Sequence, residues 1–391
     1  MNCADNSGGG PASLVASLPE EIVLSFILAV MISQTPAVPL PLDSGWALSG
    51  QGSHIGDQSG TRAIRLRTGV ATRRDVSLRD GTLDFDVSLA PLRAFVYVRF
   101  RMASDQEYEE IYLRTHKTTL PDALQYSPVW NGESNWQLYH GPGFTAAAPL
   151  PGNQWIRARL VLSGARAALF LGDTTRPQLL IPLGRPAAAG SISFRSFVPG
   201  SPAGDPAAAF ANVVVRPGYV PFNFPPDTGR AAEPRGLIKR WQLSPAFSVK
   251  AGLVTDVPDS LRQGRARWPL FEVEPTGVLV IGHHLKRPAP DAAAVSRLVL
   301  QANGHTLQRL NLGFSDYVTV LVNGEPVFGG DAHYSFDQPR QEGLIGLAQA
   351  VLWLPLRPGE NEVLLVVADG FGGWGLMGQL EPAEGVRLLS P

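Results

Sequence analysis

Short runs of alternating apolar and polar residues recur along the chain, and this period of two constrains its fold more than any other feature. AIRLR (63–67), GTLDFDVSL (81–89), AFVYVRFRM (94–102), EEIYLRT (109–115), WIRARLVLS (155–163) and RAALFLG (166–172) each send alternate side chains to opposite faces. That is the pattern of strands with one buried face. Gly, Pro, Asp and Ser bound the runs, and turns return at the spacing of a sandwich or barrel. The pattern resumes in KRWQLSPAF, GVLVIGHHL (277–285), SRLVLQANG (296–304), YVTVLVNGEPVF (317–328) and NEVLLVVADG (361–370). Asn323-Gly324, set between apolar runs, signals a two-residue hairpin because both residues tolerate positive φ. A helical turn is expected only at 340–350.

The chain has 391 residues, too many for one ordinary domain. The run RPGYVPFNFPPDTGRAAEPRG (216–236) interrupts the strand pattern, since its prolines lack the N–H a sheet needs. The expected fold class is therefore all-β: two β-sandwich (jelly-roll) domains in tandem, 38–215 and 237–391, separable at the proline-rich linker 216–236. A composition of 44% apolar and 17% charged residues, with 41 Gly and 34 Pro, suits many short strands joined by turns. A formal net charge of -1 supplies no global field for nucleic acid or an anionic membrane.

At the start of the chain, IVLSFILAVMIS (22–33) is too short to span a bilayer but fits a signal-peptide core. Thr35 and Ala37 take the -3 and -1 positions of a cleavage site. The preceding flank has no Lys or Arg and carries Glu20-Glu21, which points to a true start near Val23. Residues 1–37 are thus read as a signal peptide or a mis-assigned N-terminal extension, the alternative being an amphipathic or buried helix. Export to a secreted or periplasmic location follows, and a mature chain from Val38 loses Cys3, its sole cysteine, and with it disulfide and thiolate chemistry. No later segment is long and apolar enough for a stable membrane span.

Two motifs fail on context. GFGGWG (370–375) matches a dinucleotide fingerprint, but no helix follows to receive a pyrophosphate, so it is read as a glycine turn with Trp374 packed at the sandwich edge. His283-His284, on a strand, would point to opposite faces and could not hold one metal ion together. There is no G-x-S-x-G elbow and no H-E-x-x-H helix. No cofactor is called for, and calcium is not indicated.

The segment 107–140, EYEEIYLRTHKTTLPDALQYSPVWNGESNWQLYH, concentrates aromatic and hydrogen-bonding side chains. A pyranose stacks its apolar face on Trp or Tyr and pairs its hydroxyls with amides, carboxylates and guanidinium groups. The candidate ligand-binding residues are Tyr112, Arg114, Gln125, Tyr126, Asn131, Trp136, Gln137 and Tyr139, with Trp130 a further ring. Strand parity puts Glu110, Tyr112 and Arg114 on one face and Glu109, Ile111 and Leu113 on the other. The competing reading makes the rings sandwich core and the polar groups solvated loop. Binding of a carbohydrate partner is the leading function. Glycoside hydrolysis or lyase chemistry through Glu110, Asp122 and Glu133 is the alternative, and it needs two carboxyl groups about 5–10 Å apart across the sugar. An extracellular adhesion or scaffold role is the third reading.

EEIYLR, ALQYSPVWNG, NWQLYHGPG, WIRARLVLSG and FANVVV (210–215) resemble concanavalin A-like lectin/glucanase sandwiches. Within these, the order of a Y-L-R strand and a Gln-containing strand is similar to the 3-keto-disaccharide hydrolase domain, over residues 43–216. The resemblance implies a jelly roll with a concave sugar site carrying Arg114 and Gln125. The G-N-S-G approach of that family is replaced here by ASDQEYEE. Residues 237–380 resemble galactose-binding-like jelly rolls through DYVTVLVNG, LPLRPGENEVLLVV and GGWGLMGQL, which implies a sugar-binding or bracing module. Without an aromatic cluster like 126–139, bracing is the expected role.

Overall fold

A computed structural model describes residues 36–389 apart from positions 174, 201–202, 227–232, 251, 256 and 339–340. The apolar run 22–33 and Thr35 lie outside the described residues. The part beginning at Ala37 forms one compact unit of two antiparallel β-sandwiches. No helix among the described residues is long and apolar enough to cross a membrane.

In the first sandwich, the back sheet runs Leu179–Pro182, Arg166–Leu171, Trp155–Ser163, Gly81–Leu89, Ala208–Pro217, Thr61–Leu66, His54–Gln58, with Val38–Pro39 paired to Ala208–Pro217. The front sheet runs Glu133–Ser134, Leu124–Trp130, Glu107–Arg114, Phe95–Ser104, Gly190–Phe197, Thr68–Leu78, Trp46–Gln51, with Thr145–Ala146 beside Leu124–Trp130. Alternation does what the sequence pattern requires: Val96, Val98, Phe100, Ile111, Leu113, Ile192 and Phe194 enter the core, and their sequence neighbours face outward. Phe194 and Phe210 stack between the sheets with centroids 4.1 Å apart.

The second sandwich pairs a sheet ordered Leu270–Glu272, Arg240–Leu243, Ala292–Ala302, Gly359–Asp369, Tyr317–Val322, Glu325–Asp331 with a sheet ordered Leu279–Val280, Gly375–Leu380, Thr306–Ser315, Ala350–Leu356. Trp241 and Trp374 are buried in its core. The hairpin at Asn323-Gly324 is present, with φ of 53° and 90° at its two residues. Three local expectations differ. The described residues of 340–350 form no helix, whereas Asp259–Gly264 is helical. The strand expected over 277–285 is confined to Leu279–Val280, because Ile281–His284 closes into a helical turn.

The two sandwiches also share apolar packing. Val278, Val280, Ile345 and Met377 join the core of the first sandwich. The start of the 216–236 connection is not a free tether, since Val220, Phe222 and Phe224 cover Val161, Ala168 and Phe170 on the back sheet. Prolines bar a ladder there but leave aromatic side chains free to pack.

Candidate functional site

The outer face of the front sheet carries the side chains that core packing leaves over. Register aligns them in rows across four strands: Arg195 opposite Tyr97, Tyr97 opposite Tyr112, Tyr112 opposite Gln125; and Phe197 opposite Phe95, Phe95 opposite Arg114. Directly opposed side chains sit close enough to pack. Tyr97 and Tyr112 have centroids 5.1 Å apart, and Phe95 contacts His116 at 5.3 Å and Phe197 at 6.4 Å. The Arg195 guanidinium lies 5.0 Å from the Tyr97 ring centre and 5.7 Å from that of Phe197. Phe95, Tyr97, Arg195 and Phe197 are all half-buried.

Two polar groups of this floor are uncommitted. Among the described residues the Tyr97 hydroxyl and the Arg195 guanidinium have no hydrogen-bond or carboxylate partner. Burial, then the negative charge of Glu110, pushes the Tyr97 hydroxyl up to about 12, so it keeps its proton and can donate across the physiological range. None of these four residues is among those singled out from the sequence. The signal was present in AFVYVRFRM and SISFRSF, whose parity separates Phe95, Tyr97, Arg195 and Phe197 from the core residues between them.

Most of the residues expected to face a sugar instead satisfy one another. The Tyr112 hydroxyl donates to Gln125 Oε1 at 2.8 Å, and Arg114 donates to the Tyr112 hydroxyl at 3.1 Å, to the Asp122 carbonyl at 2.7 Å and to Gln125 Oε1. Gln125 Nε2 donates to the carbonyls of Trp136 at 2.6 Å and Tyr139 at 2.7 Å. The loop 131–140 is thereby folded back over the Leu124–Trp130 strand, and Tyr112, Arg114 and Gln125 are buried beneath it. Tyr126 points inward, donating to Glu109 and meeting Tyr139 edge-on at 6.0 Å. Burial raises the Glu109 carboxyl to about 7, even with that hydrogen bond and with Arg101 opposing the shift.

Asn131, Gln137 and Tyr139 bind the second sandwich. Asn131 Nδ2 donates to the Gly282 carbonyl at 2.9 Å, Gln137 accepts from Ser315 Oγ at 3.0 Å, and the Tyr139 hydroxyl donates to Glu274. Of the eight expected ligand residues, Trp136 and Asn131 keep partial exposure. The three expected catalytic carboxylates are each matched by a cation. Glu110 accepts from Arg99 at 3.3 Å and from Ser134 at 3.0 Å, Asp122 pairs with Arg114 at 3.2 Å and with Lys117, and Glu133 pairs with Arg287. The structure gathers no two of them on one cation.

The seam between the sandwiches corrects the reading of His283-His284. On the Ile281–His284 turn both rings lie side by side, 4.6 Å apart at 14°, and continue a stack of Trp130, His283, His284 and Phe271. Arg185 covers the other face of Trp130 at 3.9 Å. Burial, with His283 adding to it, lowers His284 to about 4, so that imidazole is neutral at pH 7. Among the described residues no group of three His, Cys, Asp or Glu side chains is arranged to hold a metal ion.

No protein-family model and no curated protein matches the chain. Solved structures similar to parts of it include the carbohydrate-binding module CBM66 from Bacillus subtilis, 16% identical over 44% of this chain and 96% of that one, with a TM-score of 0.33. A Bacillus licheniformis beta-glucanase is 12% identical over 45% of this chain and 94% of that one, TM-score 0.33. A family 35 carbohydrate-binding module from an environmental isolate is 17% identical over 25% of this chain and 72% of that one, TM-score 0.19. These values carry no functional argument, which rests on the side chains above.

Proposed function

We propose that the protein binds a carbohydrate on the outer face of the front sheet, with Phe95, Tyr97 and Phe197 as the stacking floor and Arg195 and the Tyr97 hydroxyl as directing polar groups. One observation carries this reading: a half-buried aromatic row holds two strong hydrogen-bonding groups that have no hydrogen-bond partner among the described residues. Folded proteins satisfy most such groups internally, and a sugar offers the matching combination of apolar face and hydroxyls. Tyr112, Arg114 and Gln125 flank the floor on the same face, and Gln125 holds the 131–140 loop beside it as a wall. Binding without bond cleavage is the reading favoured, because Glu110, Asp122 and Glu133 are engaged in ion pairs. The same reading places the working chain outside the cytoplasm, beginning at Val38, which N-terminal sequencing of exported material checks.

The test uses Arg195→Ala on a polysaccharide array. This guanidinium has no protein carboxylate to abandon, so the melting temperature should hold while glycan binding weakens roughly ten-fold, the loss of about one charge-assisted hydrogen bond. Arg195→Ala and Tyr97→Ala proteins that both bind like the parent would remove the floor from the proposal.

A further inference from the structure

The GFGGWG segment (370–375) lies at a turn between two strands. It joins Gly359–Asp369 to Gly375–Leu380, and Gly372 and Gly373 take φ of +100° and +150°. Both values lie where side chains other than glycine are strained. A Cβ on Gly372 would lie 2.4 Å from Gln137 Oε1 and 2.9 Å from Trp136 Nε1, so the loop lies directly on the 131–140 loop of the other sandwich. Buried polar groups lock the contact. Asp316 Oδ2 accepts from the backbone N–H groups of Gly370 at 3.0 Å and Phe371 at 2.9 Å, and Gln137 N donates to the Gly372 carbonyl at 3.0 Å.

What this scaffold presents is a cluster of aromatic rings. Phe371 is 55% exposed and Phe336 73% exposed, and both contact Tyr334. Trp136, from the first sandwich, meets Tyr334 edge-on at 5.5 Å and Phe371 at 6.3 Å. Rings that pack against one another lose less freedom than isolated ones when something stacks on them. Polar groups stand close by, with Gln341 Nε2 3.3 Å from His333 Nδ1 and His333 paired to Asp331.

We infer that Trp136, Tyr334, Phe336 and Phe371 form a second sugar-stacking platform, composed jointly by the two sandwiches, for a further residue of an oligosaccharide. This rests on the carbohydrate reading above but not on the front-sheet site. Size favours a saccharide over a protein. Four rings of about 200 Å² each, exposed to the degree seen here, offer no more than about 400 Å², against about 800 Å² per partner in a stable protein interface. The mixture of ring faces with amide, imidazole and carboxylate groups also suits hydroxyl-rich ligands. The second sandwich then contributes to recognition beyond the bracing expected from the sequence.

The experiment compares the full chain, Phe336→Ala/Phe371→Ala and Tyr97→Ala on an array of plant and bacterial polysaccharides. Titrations follow with the disaccharide and hexasaccharide of whichever polysaccharide is retained. The platform variant removes exposed rings, so its melting temperature should match the parent, and its hexasaccharide affinity should fall roughly ten-fold, as for two lost ring contacts. Binding of the hexasaccharide unchanged in that variant overturns the platform, whatever Tyr97→Ala does. Loss of binding in the platform variant with none in Tyr97→Ala removes the front-sheet site and sustains the platform. A parent that retains no polysaccharide overturns both. Loss of self-association in place of glycan binding, read by sedimentation, reassigns the rings to a protein contact and also overturns the inference.

Discussion

Replacing Glu274 by glutamine should stabilise the protein at alkaline pH and leave it unchanged in mild acid. Glu274 lies at the seam, where its carboxyl takes a hydrogen bond from the Tyr139 hydroxyl and its Oε1 has no partner. Burial raises it from 4.5 to about 7, against the opposing effect of that hydrogen bond. His283 Nδ1 is 4.0 Å away, and burial holds that imidazole below its ordinary value, so it supplies no charge above neutrality. Between 4.5 and 7 the folded chain keeps a proton that the unfolded chain has released. The stabilising contribution is therefore full below pH 4.5 and is lost as pH rises through 7. The interval corresponds to on the order of 3 kcal/mol. Glutamine keeps the shape of the protonated acid and cannot ionise. With about 2 cal/mol/K of unfolding entropy per residue, a chain of this length should gain about 4 °C in melting temperature at pH 8.5 and nothing at pH 4.5. Calorimetry of parent and variant at both pH values reads this directly. Glu109 and Asp369, also raised to about 7 by burial, give a background slope common to both proteins. A variant destabilised equally at both pH values would refute the argument.

Arg287→Ala strips the cation from Glu133 and from Asp369, whose side chain is 4% exposed, and should cost about 3 kcal/mol in urea unfolding; Arg287→Lys should recover part of it. Gly372→Ala forces a Cβ against Gln137 at φ +100°, and should cost on the order of 2 kcal/mol while changing Trp136 fluorescence. Since Val278, Val280, Ile345 and Met377 pack in the first sandwich's core, the intact chain should show one calorimetric transition, and two resolved transitions would count against a shared core.

Local chemistry was sufficient for much of the fold. Alternation marks Gly81–Leu89 and Trp155–Ser163 to the residue; in the second the polar positions keep partial exposure, whereas in the first Thr82, Asp84 and Ser88 are buried as well. Asn323-Gly324 sets a hairpin through the φ values its own backbone tolerates. The parity of Glu110, Tyr112 and Arg114 against Ile111 and Leu113 was likewise readable along one strand.

Exposure was not, because it depends on chain distant in sequence. Gln125 looks like a sugar ligand until the carbonyls of Trp136 and Tyr139 take its amide, and Tyr112 until its hydroxyl is found on Gln125 and Arg114. Trp130 and His283, 153 positions apart, become one stack only when the sandwiches meet, and the meeting bends an apparent strand into the Ile281–His284 turn. Alternation tells which face of a strand a residue occupies; only the packing of one sheet, loop or sandwich against another decides whether that face is left to water. Phe95, Tyr97, Arg195 and Phe197 keep theirs because the covering loop reaches no further than the strands next to it.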